Sequence, residues 1–98
     1  MVSKHQEELV KLLTKIKDQG LMEKFLTDLL TSEEFENLSK RWQLVKLLAK
    51  NTPQRKISQD LKVAIATVTR GSKELEDESG GFNKILKKYY SVTKSKRI

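Results

Sequence analysis

The sequence predicts an all-α fold, a six-helix chain with a helix-turn-helix, and three observations carry that reading. Apolar residues recur at three- and four-residue spacings from Leu9 to Tyr90, and no segment alternates as a strand. Pro53 and the glycines at 20, 80 and 81 stand at the ends of those periodic runs. The chain is 37% hydrophobic and 34% charged, a balance that suits helices with one wetted face each.

The first helix carries Leu9, Val10, Leu12, Leu13 and Ile16, and is expected to stop near Gln19–Gly20. Leu21, Met22, Phe25, Leu26, Leu29 and Leu30 form the second. Together these two expose a wider apolar face than a chain of 98 residues easily covers, which implies a second chain packed against them. Thr31 and Glu34 have capping-box spacing and open a third helix carrying Phe35, Leu38, Trp42, Val45 and Leu48. Thr52–Pro53 starts the fourth helix, with proline at the first helical position. Ser79-Gly80-Gly81 reads as a flexible break before a sixth helix bearing Phe82, Ile85, Leu86, Tyr89 and Tyr90, and residues 93–98 as a basic tail. No repeat or linker divides the chain, so residues 1–98 read as one domain.

Gln54 to Leu75 is the segment richest in function. Ile57 and Leu61 lie four apart around small Ser58, Lys62–Val63 makes a turn, and Val63, Val68 and Leu75 continue the apolar seam. The opposite face of the second segment presents Ile65, Ala66, Thr67, Thr69 and Arg70. Small methyl- and hydroxyl-bearing side chains of this kind fit a DNA major groove, where they touch thymine methyls and phosphates. The segment therefore reads as a helix-turn-helix at 54–75, with double-stranded DNA as partner. An ordinary helical hairpin is the bland alternative. The turn position that favours a left-handed backbone holds Lys62 instead of glycine, at a cost of roughly 1 kcal/mol.

Charge distribution favours the DNA reading. Residues 40–73 hold nine basic side chains and only Asp60 acidic, whereas residues 1–39 hold five basic and eight acidic. A concentrated basic region attracts phosphate and makes affinity fall with salt. Arg55 is the candidate for guanine, Gln54, Ile65, Ala66, Thr67 and Thr69 for the bases or their surroundings, and Lys40, Arg41 and Lys73 for phosphate. No Cys–His or Ser–His pair, P-loop or zinc-protease motif is present, so the chain does not read as an enzyme. Without cysteine it has no disulfide or thiolate metal site, and the lone His5 makes no metal centre. No apolar run of membrane-spanning length and no signal peptide is present, which leads to the expectation of a cytoplasmic protein.

Ile65–Leu75, IATVTRGSKEL, with Leu30–Lys50 upstream, closely resembles the tryptophan operon repressor family over roughly residues 21–90. The resemblance implies an intertwined homodimer, in which N- and C-terminal helices of two chains build one core. It also implies control of tryptophan biosynthesis or uptake genes, with free L-tryptophan as co-repressor ligand and no bound cofactor. Positions matching the family's pocket are Thr31, Arg41, Arg70 and Gly71. Two guanidinium planes can stack on an indole, and Arg70 with Thr31 can hold its carboxylate. The ligand's α-ammonium would meet carbonyls near Asp28 and Leu30, where a helix C-terminus favours a cation.

Three departures are visible. Where the family continues Arg-Gly-Ser with Asn-Ser, this chain has Lys73–Glu74. Glu74 either replaces the lost hydroxyl by pairing with the ammonium or blocks the site. Ala64 offers the reading helix a poor N-cap, and the segment joining the third and fourth helices is one residue shorter than usual. Two other readings stand beside the tryptophan-gated repressor. One is a helix-turn-helix regulator of the same fold that does not respond to tryptophan. The other is a basic helical module for RNA or ribosomes, against which the scarcity of exposed aromatics in the positive region counts.

Overall fold

A computed structural model describes residues 2–91, and all regular structure among them is helical. Six helices follow in order: α1 (Lys4–Lys15), α2 (Gln19–Leu29), α3 (Ser32–Ala49), α4 (Gln54–Leu61), α5 (Ile65–Glu74) and α6 (Gly81–Tyr90). The expected basic tail lies outside the described residues. The chain forms two compact units, 1–36 and 37–98, with α3 beginning in the first.

In the first unit each helix start is fixed by a side chain. Ser3 accepts from the Gln6 N–H at 3.1 Å while its own N–H donates to Gln6 Oε1 at 2.8 Å, closing a capping box on α1. Asp18 accepts from the Gly20 N–H at 3.0 Å and caps α2. Gln19–Gly20 therefore begins α2 and does not end α1, which stops instead at Ile16 in extended backbone. At the head of α3 the Thr31 hydroxyl accepts from the Glu34 N–H at 3.1 Å, and Glu34 Oε1 accepts from the Thr31 N–H at 2.9 Å. Neither α1 nor α2 buries a residue. Leu9, Val10, Leu12, Leu21 and Leu29 are exposed, and Leu13, Ile16, Phe25 and Leu26 are half-covered.

The second unit holds the core. Leu44, Val45, Leu48 and Ala49 of α3 meet Ile57 of α4, Val68 of α5, Leu75 and Leu86 of α6, with Trp42, Leu47, Leu61, Val63 and Phe82 packed around them. Leu38, expected on the buried stripe, is exposed, while Leu44 and Ala49 belong to the core. At Gly71 α5 approaches α3 so closely that a Cβ would stand 2.6 Å from Leu44 Cδ1 and 3.3 Å from Leu48 Cδ1. A side chain there would crowd both leucines.

Pro53 sits one residue earlier than expected, as the N-cap of α4 rather than its first helical residue. Side-chain hydrogen bonds span the loop before α6. Asp77 Oδ1 accepts from the Ser79 hydroxyl at 2.7 Å and the Ser79 N–H at 3.0 Å. Buried Asn83 donates through Nδ2 to the carbonyls of Leu75 and Asp77, both at 2.9 Å. An aromatic cluster joins α3 to α6: Trp42 Nε1 donates to the Tyr90 hydroxyl at 3.2 Å, and Trp42 packs beside the rings of Tyr90 and Phe82.

Candidate functional site: the two-helix head and the arginine cavity

The head is α4, a turn and α5. Lys62 adopts the left-handed conformation expected of the turn, φ 56° and ψ 50°. Its N–H and that of Val63 both donate to the Ser58 carbonyl, and the Ser58 hydroxyl donates to the Val63 carbonyl at 2.6 Å. Ser58 thus holds both sides of the turn, a role its small size in the sequence did not reveal. Ile57 and Val68 are fully buried behind it, fixing the angle between the two helices.

Outward from this base the face of α5 is open. Ile65, Ala66, Thr67, Thr69, Arg70 and Lys73 are exposed, as is Arg55 on α4, while Lys40 on α3 is half-covered. Ala64 caps α5 without any side-chain hydrogen bond, so the first turn of α5 has no side-chain cap. Gln54 and Thr69 are joined to each other: the Thr69 hydroxyl donates to Gln54 Oε1 at 2.9 Å. That bond fixes the amide of Gln54 so that its N–H₂ end remains a donor.

Behind the head lies a cavity of about 340 Å³ lined by Arg41, Leu44, Val45, Thr67, Arg70, Gly71, Glu74 and Phe82. Its size is at the lower end of the range for small-molecule sites. Of the residues named from the sequence as ligand-binding, it gathers Arg41, Arg70, Gly71 and Glu74. Thr31, Asp28 and Leu30 are not among its lining and belong to the first unit. The Thr31 hydroxyl already accepts from Glu34, which leaves its O–H to donate. Leu44, Val45 and Phe82 line the apolar part of the cavity, and Thr67, assigned to the outer face alone, borders it as well. Sequence spacing gave no sign of Phe82, because α6 reaches the cavity only through tertiary packing.

A larger, open groove of about 1010 Å³ runs along α6, lined mainly by Trp42, Phe82, Ile85, Tyr89 and Tyr90, with Glu74 at its edge. Ile85, Tyr89 and Tyr90 are exposed there. No helix among the described residues is long and apolar enough to cross a membrane.

Comparison with known proteins points to one family. The family described as Trp repressor protein matches residues 4–90, a longer span than the resemblance read from the sequence. A Trp operon repressor homolog from Mannheimia succiniciproducens is 35% identical over 98 residues, covering 96% of this chain and 97% of that protein. One from Vibrio campbellii is 42% identical over 77 residues, covering 78% of this chain and 77% of the relative. One from Actinobacillus succinogenes is 41% identical over 73 residues, covering 74% of this chain and 72% of the relative. No solved structure gives a significant match. With its six helices, its turn at Lys62 and a family match across nearly its whole length, the chain belongs to the Trp repressor family of DNA-binding regulators and is not an enzyme.

Proposed function

We propose that this chain is a dimeric repressor that reads operator DNA with α4 and α5 and takes free L-tryptophan, as co-repressor, in the cavity between Arg41 and Arg70. The observation that carries the ligand reading is one cavity lined by two arginines from different helices together with apolar Leu44, Val45 and Phe82. Arginine planes suit the faces of an indole, and either guanidinium suits a carboxylate. A ligand gripping both α3 and α5 would hold the reading helix at one tilt.

In this reading Arg55 reads guanine, Gln54, Ile65, Ala66, Thr67 and Thr69 face the bases, and Lys40, Arg41 and Lys73 hold phosphates. The homodimer is supported by the unburied apolar residues of α1 and α2, among them Leu9, Leu12 and Leu29, and by the open groove along α6. Docking one copy's α1–α2 face onto the other's groove would cover Ile85 and Tyr89. Two heads related by a two-fold axis would read a near-palindrome with half-sites about 34–36 Å apart. The targets would be tryptophan biosynthesis or uptake genes, in the cytoplasm.

Gel-shift titration on a trp operator with and without millimolar L-tryptophan tests the reading. A coupling of about 1–3 kcal/mol would raise operator affinity roughly 5- to 150-fold. Arg70→Leu should remove that response while the protein stays folded. Equal operator affinity in both conditions would instead favour a regulator of the same fold that ignores tryptophan.

A further inference from the structure

We infer that Lys62, in the turn between α4 and α5, is a phosphate anchor that holds the DNA backbone at the rim of the groove α5 enters; this rests on the reading that α4 and α5 face DNA. Lys62 has φ 56° and ψ 50°, the left-handed region, where a side chain costs energy that glycine would not. Among the described residues the other non-glycine positions of positive φ are Asn51, a type that tolerates this region, and Ser91, at the end of the last helix. The shape of the turn does not depend on lysine. It is set by the N–H groups of residues 62 and 63 on the Ser58 carbonyl, bonds that glycine at 62 would make equally.

Inside the protein the side chain offsets little of that cost. Lys62 is exposed, and the ion pairs among the described residues are Lys11–Glu7 and Lys56–Asp60. Asp60, the nearest acid in the sequence, is therefore already held by Lys56 at 3.0 Å. Attraction to the carbonyl end of α4 is small at an exposed position and screened by salt. A strained residue kept for its side chain points to a partner outside the fold. Position then names the partner. The first residues of a reading helix are those that meet base edges, and Lys62 precedes Ile65 by three residues. The turn therefore passes the rim of the groove, where phosphates lie. Lys62 is also the only charged residue between Asp60 and Arg70, so the early half of α5 has no other cation of its own. An ammonium suits the task as a point charge that demands no fixed geometry.

Anisotropy of labelled operator and unrelated duplexes, titrated with the full chain across a salt series with L-tryptophan present, tests this. Lys62→Gly and Lys62→Gln should each bind both duplexes about fivefold more weakly at about 0.1 M salt and lower the salt slope by about 0.9, whereas Lys62→Arg should keep both values. Lys88→Gln removes the same charge from α6, outside the head, and should leave the slope unchanged. At fixed protein concentration Lys62→Gly should melt at the temperature of wild type or higher, because glycine relaxes the turn, even as binding falls. Unchanged affinity and slope in Lys62→Gly and Lys62→Gln would overturn the inference. So would a loss that Lys62→Gln does not share, or an equal fall in slope in Lys88→Gln. Specific binding undiminished in Arg55→Ala would instead overturn the orientation of the head, and the anchor with it.

Discussion

Replacing Gly71 by alanine sets two opposing effects against each other, and the structure decides between them. Gly71 lies inside α5 with ordinary helical backbone, so alanine there gains about 1 kcal/mol of helix propensity. Its Cβ, however, would lie 2.6 Å from Leu44 Cδ1 and 3.3 Å from Leu48 Cδ1. Carbon atoms rest about 3.5–4.0 Å apart, so something must yield by roughly 1 Å. Leu44 and Leu48 are each 1% exposed and walled in by the core, leaving their methyl groups little room to turn away. Overpacking of this kind costs about 1–3 kcal/mol. Crowding therefore outweighs propensity, and Gly71→Ala should lose about 1 kcal/mol net in urea denaturation at fixed protein concentration. If α5 moves outward to make room, Arg70 moves away from Arg41 and tryptophan affinity falls as well. Gly71→Val should lose more on both counts. A Gly71→Ala protein more stable by the full propensity gain would show that α3 and α5 do not pack this closely.

Arg55→Ala should cost about 1–3 kcal/mol of operator binding and relax sequence preference, whereas Lys40→Ala should weaken all sequences alike and lower the salt slope by about one. Specific binding undiminished in Arg55→Ala would mean the head is oriented differently. Ser58→Ala removes the half-buried bond to the Val63 carbonyl and should destabilise the protein by about 1 kcal/mol; unchanged unfolding would mean the backbone bonds alone secure the turn. The hydroxyl and then the N–H of Ser79, with Lys84 adding attraction, hold the Asp77 carboxyl below its ordinary value of 3.8 against a smaller opposing effect of desolvation. A depressed folded-state pKa means its contribution is present above 3.8 and disappears as pH falls through the lower folded value. The stability difference between wild type and Asp77→Asn should therefore shrink on acidification below 3.8, and a difference independent of pH there would remove Asp77 as the cause.

Local chemistry was readable in the chain and long-range packing was not. The Thr31–Glu34 box, the left-handed Lys62 and the weak cap at Ala64 each depend on residues within a few positions, and the structure shows all three. The α1–α2 boundary was misplaced because Gly20 resembles a helix stop, while the Asp18 side chain that starts α2 competes only through its geometry. Leu44 and Ala49 were missed because α3 is packed on more than one side, which a single periodic stripe does not describe. Within the cavity, Arg41 and Arg70 came from family resemblance rather than spacing, since 29 positions separate them in the sequence. Phe82 and the Trp42–Tyr90 bond, whose partners lie 48 residues apart, left no mark in any local pattern.

Trp42 gives the protein a built-in optical reporter. It is the only tryptophan in the chain, and its indole N–H is bonded to Tyr90, whose ring centre is 5.6 Å away. At that distance tyrosine excitation passes readily to tryptophan, so emission registers the separation of α3 and α6. The same indole lines the open groove, where any covering apolar surface would exclude water and shift its spectrum toward the blue. Dilution of the unlabelled protein, followed by the colour of one side chain, therefore reads out whether that groove is filled.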